Sequence, residues 1–157
     1  MRSMFCRIAL GLWIVTIGVA GWLFVQGWTT PGTDGRMQIV LAPTERDLIL
    51  GEMRMLLKAV HGVVTGLAGQ DPEADRTQIE QAARSAGMAM ATDVNPALMA
   101  KLPLPFKQMG MSIHRDMDAL ADGIVQKETS QQILERLSSM TARCTTCHDM
   151  YRIGVDK

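Results

Sequence analysis

LILGEMRMLLKAVHGVVTGLA, residues 48–68, decides the fold class. Ile49, Met53, Leu56, Leu57, Val60, Val64 and Leu67 recur at i, i+3, i+4 and i+7 spacing, the period of a helix with one buried stripe. The helix is expected to start near Thr44, whose hydroxyl can cap it, with Glu45 and Asp47 favourable in the first turn. A single stripe of this kind cannot bury itself, so the rest of the chain must supply partners.

Three further segments do so. Gly69 and Asp71-Pro72 break the first helix, Asp71 suiting a cap and Pro72 a first helical position. A second helix is predicted over 73–91, with Ile79, Ala82, Ala83, Ala86 and Met90 inward. Residues 93–105 contain Pro96, Pro103 and Pro105 and read as a long connection with one turn at 97–100. A third helix is expected over 106–125 on Met109, Ile113, Met117, Leu120 and Ile124. Thr129 with Gln132 resembles a capping box. It opens a fourth helix that carries Ile133, Leu134, Leu137, Met140 and Cys144 and ends near Gly154. Four helices of this length predict an all-α, antiparallel four-helix bundle over 44–157. Composition agrees: aromatics are 4%, methionines number 13, and no Val/Ile/Thr alternation is sustained.

Residues 8–25, IALGLWIVTIGVAGWLFV, form an uncharged apolar run. As a helix it would reach about 27 Å, enough to cross the hydrocarbon core of a bilayer. It is read as an uncleaved anchor or a cleaved signal. No small-x-small site ends it, which favours the anchor. Arg2 and Arg7 place the N-terminal flank in the cytoplasm and everything after about residue 28 outside. The chain thus divides into a transmembrane or signal segment (1–28), a Gly-, Thr- and Pro-bearing linker (29–43) and the bundle (44–157). Lys and Arg total 16, as do Asp and Glu. Setting aside Arg2 and Arg7 leaves 14 basic against 16 acidic side chains after residue 28, which excludes a nucleic-acid binder. Cys6 precedes the apolar run without a lipobox-like context and reads as inert.

RCTTCHDMYR, residues 143–152, carries the chemistry. C-x-x-C-H arises by chance in roughly one chain per thousand of this composition. A zinc site needs four protein ligands, or three and a water, and His61 and His114 have no paired spacing to help. A reactive dithiol belongs at a helix N-terminus after a strand, whereas these cysteines lie near a helix C-terminus. Covalent haem c fits every residue. Cys144, Cys147 and His148 share one helical face, the two sulfurs can bond the two vinyl groups, and His148 can present a nitrogen to iron. Export agrees with it, because c-type haem is attached outside the bacterial cytoplasmic membrane.

A four-helix bundle ending in CTTCHDMYR resembles the cytochrome c-prime family, which shares a C-x-x-C-H followed closely by an aromatic residue and a base, here Tyr151 and Arg152. The resemblance covers about residues 44–157, with its specific part in the last helix and a weaker match at Gly69-Gln70. It implies a distal haem face covered by a side chain of the first helix. Counting back from Gly69-Gln70 by the family's spacing gives Met53; Met55 points elsewhere on the helix, and a haem without a distal protein ligand is the other alternative. Methionine ligation would suit one-electron transfer to a redox partner protein in or near the membrane. A five-coordinate haem would instead bind nitric oxide or carbon monoxide, for sensing or detoxification. The resemblance also implies homodimer pairing through the first two helices, where Ala82, Ala83, Ala86 and Ala89 would permit close packing. Arg152 and Arg54 are candidates for the haem propionates. His61 and His114 read as polar-face histidines. No nucleophile–base set or carboxylate pair stands out, so no enzyme is expected.

Overall fold

The structure is a computed structural model describing residues 2–69, 71, 75–92 and 95–155. Gln70, Pro72 and Glu73, on which the family spacing and the start of the second helix were placed, lie outside the described residues. Among the described residues six α-helices dominate: α1 (Arg2–Gln26), α2 (Pro43–Leu67), α3 (Arg76–Arg84), α4 (Pro96–Lys101), α5 (Leu104–Val125) and α6 (Ser130–Met150). Within α1, residues 4–26 are exposed, and the Met4–Gln26 span is long and apolar enough to cross a membrane. An all-round apolar surface of this kind suits lipid rather than water.

The chain is not purely helical. Strands β1 (Thr29–Pro31), β2 (Met37–Leu41) and β3 (Tyr151–Val155) form one sheet in the order β1-β2-β3. β1 and β2 are antiparallel; β2 and β3 are parallel, pairing Met37 with Tyr151 through Leu41 with Val155. Two of the strands fall where a linker is read, and the third ends α6 at Met150 rather than near Gly154. Segments of three to five residues are too short to show periodicity in a sequence. What holds them is tertiary, with Ile39 and Leu41 fully buried beneath the sheet.

Local chemistry explains the helix ends. Ala42, not Thr44, precedes α2. Pro43 occupies its first position, and the Glu45 carboxylate accepts the Ala42 N–H at 2.9 Å. Glu45 also takes both bonds of Lys101 Nζ, at 2.7 and 2.8 Å, tying the start of α2 to the end of α4. That ammonium holds the Glu45 carboxyl below its ordinary pKa. α3 ends at Arg84, short of residue 91: the Ala86 and Gly87 N–H groups bond three residues back to Ala83 and Arg84, and beyond them the Asp118 carboxylate of α5 takes the Met88 N–H at 2.9 Å. Gly87 leaves room for that approach. The Thr129–Gln132 capping box opens α6 as expected.

Two apolar clusters organise the interior. The larger joins Val63 of α2, Ile79 and Ala83 of α3, Met117 and Leu120 of α5, and Ile133, Leu137 and Met140 of α6. Close approach of α2 and α3 depends on Gly62, where a Cβ would come within 2.8 Å of the Ala82 Cβ. Ala83 and Ala86 are fully buried. Of the other two small residues named for a second copy, Ala82 is half-buried and Ala89 exposed. Leu57, Val64 and Leu134, predicted to face inward, are exposed. They flank the contacting stripe instead of lying on it, Val64 and Leu134 about 100° round from buried Val63 and Ile133, and Leu57 the same from half-buried Leu56. The smaller cluster joins Ile39 and Leu41 of β2, Ile49 of α2, Leu98 of α4, Leu102 just beyond it, and Phe106 of α5.

Candidate functional site

The C-x-x-C-H residues occupy the last turns of α6, so their i, i+3, i+4 spacing does place them on one side of a helix. Cys144 packs on the larger apolar cluster and Cys147 on the smaller one. Both are half-buried free thiols. Burial raises the pKa of each, to about 11 for Cys147, whose neighbour Cys144 adds to the effect. Neutral thiols held against apolar side chains are the opposite of a reactive dithiol, which needs a stabilised thiolate. His148 is exposed, and its ring makes no hydrogen bond or ion pair among the described residues. No group of three or more His, Cys, Asp or Glu side chains is disposed to hold a metal ion among the described residues.

Met53, 94 residues before Cys147, packs on the same apolar cluster as Cys147 and Tyr151. Met55 lies elsewhere on α2, 47% exposed. The Tyr151 ring meets Phe106 edge-on, with centroids 5.6 Å apart and planes at 87°. Burial pushes the Tyr151 hydroxyl upward in pKa. Two half-buried thiols thus lie against apolar side chains, with an exposed imidazole one residue on from Cys147 and the Met53 thioether in the same cluster as Cys147.

The β1–β2 turn braces this end of α6. Arg36 Nη1 donates to the His148 carbonyl at 3.3 Å, one of the carbonyls that the end of a helix leaves without a partner. Asp34 receives two bonds from the Arg36 guanidinium, at 3.0 and 2.6 Å, and one from Arg152 at 3.5 Å. Arg36 is the main reason that the Asp34 carboxyl is lowered to about 2. Arg152 thus has a protein partner, and Arg54 is exposed. Neither Arg36 nor Asp34 carries a sequence signal, since a turn ion pair looks like any polar loop.

His114 is not on a polar face. It is 3% exposed, with Nδ1 2.8 Å from the Ala86 carbonyl and Nε2 3.1 Å from Glu52 Oε1. Both partners are acceptors, so both ring nitrogens donate when the ring is protonated. The Glu52 bond accordingly raises the His114 pKa, against the opposing effect of burial. His61 is exposed. Lys107, also unremarked in the sequence, is 7% exposed; its ammonium donates to the Phe24 and Met99 carbonyls at 3.3 and 3.2 Å and lies 3.7 Å from the Phe24 ring centroid. It ties the last turn of α1 to α5. Compared with known protein families, curated proteins and solved structures, the chain matches none.

Proposed function

We propose that the chain is a membrane-anchored c-type cytochrome with a cytochrome c-prime-like four-helix bundle, carrying one covalent haem and serving one-electron transfer. Cys144 and Cys147 would hold the haem, His148 would be its proximal ligand and Met53 its distal one. When bound, the haem supplies a one-electron ferric–ferrous change. The chain's own residues hold and shield it. The apolar clusters around Cys144 and Cys147 exclude water, and Arg36 and the β2–β3 pairing fix the end of α6.

The observation that carries the reading is the convergence of Met53 and Cys147 on one apolar cluster, since a distal ligand must come from a helix facing the motif. The sheet supports a partner in or near the membrane. Thr29, just past α1, pairs with Ile39, which pairs with Ile153. Two strand spacings, about 10 Å, therefore separate the membrane exit from the strand that follows the motif. A tether also raises the local concentration of the domain near membrane-bound partners. In this reading Arg2 and Arg7 stay in the cytoplasm and the haem domain faces the periplasm of a bacterial inner membrane.

The test is the optical spectrum of the full chain, expressed in a host competent in haem attachment, oxidised and reduced, with and without carbon monoxide. The expected result is a low-spin spectrum indifferent to the gas, converted in Met53→Ala to a high-spin, gas-binding one. A wild type that is high-spin and binds carbon monoxide removes Met53 as ligand and turns the function to gas binding. Absence of covalent haem sinks the reading. Intact mass from membrane fractions reports whether the anchor is retained.

A further inference from the structure

A cavity of about 350 Å³ lies between α2, α4 and α5, beside the motif but not lined by it. Small-molecule sites commonly have volumes of about 300–1,000 Å³ and few polar groups, and a cavity of about 150 Å³ already accepts benzene. Its walls are apolar and adaptable: Leu98, Met99, Phe106 and Met111, with Met90 behind. Methionine linings reshape themselves around flat rings. The exposed side chains Leu48 and Met55 make an apolar rim.

Glu52 and His114 are the convergent polar pair on this wall, and Nδ1 of His114 is already committed to Ala86. His114 Nε2 is bonded to Glu52 Oε1 at 3.1 Å, so the pair presents the second Glu52 oxygen as an acceptor and an N–H that Glu52 already holds. One end of the cavity is lined by Lys107, whose ammonium is bonded to the Phe24 carbonyl in the last turn of α1. The space therefore adjoins the point where the apolar helix leaves the domain.

We infer that this cavity binds the ring of a membrane-soluble quinone or quinol. A quinol hydroxyl donates to the second carboxylate oxygen of Glu52, and a quinone carbonyl accepts from His114 Nε2 by sharing or displacing its 3.1 Å bond to Glu52 Oε1. An acyl chain has nothing to offer that pair, and a polar metabolite would not suit the methionine walls. The choice of a quinone over a redox-silent ring rests on the haem reading; the site itself does not. Phe106 connects the two, because it lines the cavity and also packs on the cluster holding Cys147 and Tyr151.

The experiment uses the full chain in detergent, with methionine methyl groups labelled with carbon-13, titrated with decylubiquinone and, separately, with dodecane. Saturable shifts are expected for Met55, Met90, Met99 and Met111 with decylubiquinone, while the core residues Met117 and Met140 stay unmoved. Met55→Trp, at the exposed rim, should block binding with little effect on folding. Glu52→Gln and His114→Gln should each weaken it about tenfold, the worth of one hydrogen bond to a charged group. The titration is repeated on Cys144→Ala/Cys147→Ala, which cannot carry covalent haem. Binding there, in a chain whose wild type loads no haem, sinks the haem reading and leaves the site standing. Haem-loaded protein with no saturable shifts overturns the site alone. So does an unaffected Met55→Trp, or dodecane producing the same shifts with equal affinity.

Discussion

The contact between Phe106 and Tyr151 is the most direct handle on how α6 and β3 are seated, and Phe106→Leu with Tyr151→Leu forms a double-mutant cycle on it. Phe106 is 7% exposed in the smaller apolar cluster and receives Tyr151 edge-on at 5.6 Å. Leucine keeps most of the apolar volume at either position, so neither substitution opens the cavity that alanine would. Replacing Phe106 with Ala would cost about 3–5 kcal/mol. Phe106→Leu should cost about 1–2 kcal/mol, combining a modest packing loss with an aromatic pair worth about 0.5–1.5 kcal/mol. Tyr151→Leu loses the same pair from a half-buried position, and the double variant loses it only once. The coupling between the two should therefore be about 0.5–1.5 kcal/mol, measured by urea unfolding of the full chain in mild detergent. Independent sites add to within about 0.3–0.5 kcal/mol. A coupling inside that band would refute the placement of Tyr151 against α5, and with it the route by which β3 holds the end of the motif helix.

Three further outcomes follow from single interactions. Gly27 has φ +63, and a Cβ there would meet the Lys101 O, Pro103 N and Leu102 C atoms at 2.5–2.7 Å. Gly27→Ala should thus cost about 1–2 kcal/mol for the left-handed backbone alone and speed proteolysis between residues 27 and 36 in membranes; an unchanged cleavage rate would contradict the junction. His114 has a folded pKa raised above the ordinary 6.5 by Glu52, with Asp118 adding to it. Its contribution is complete below that ordinary value and is lost as pH rises through the folded pKa. Unfolding midpoints of wild type and His114→Gln should therefore converge as the pH is raised, and a gap that widens instead would reverse the assignment. Asp34, lowered from 3.8 to about 2, contributes fully above 3.8 and loses its effect as pH falls through about 2. Carboxyl carbon NMR should give a midpoint near that lower value, moving back toward the ordinary range in Arg36→Gln.

Much of the architecture is local information. The stripes on α2, α5 and α6 are legible because contacts at i, i+3 and i+4 repeat within one segment. The same holds for the apolar span of α1 and for Cys144, Cys147 and His148, whose common face follows from helix pitch alone. The Thr129 cap is legible for the same reason, since both of its partners lie within four residues. β2 and β3 are not: each is five residues long, and their pairing joins segments more than 100 residues apart. α3 looked longer because the apolar period of Ile79, Ala83, Ala86 and Met90 runs on past Arg84, where the helix ends and Met88 bonds to Asp118 of α5 instead.

The candidate site divides along the same line. Spacing alone fixed the two thiols and the imidazole as a unit. Only the folded chain brings Met53 and Cys147 to one apolar cluster and sends Met55 to the rim of a separate cavity. Burial of His114 against Glu52 and of Lys107 beneath the end of α1 is likewise tertiary, because a titratable residue enters a core only where partners from other segments meet its hydrogen bonds. Periodicity and motif spacing are properties of neighbours along the chain. Which faces meet, and which polar groups they enclose, is decided by packing between segments that the sequence alone does not relate.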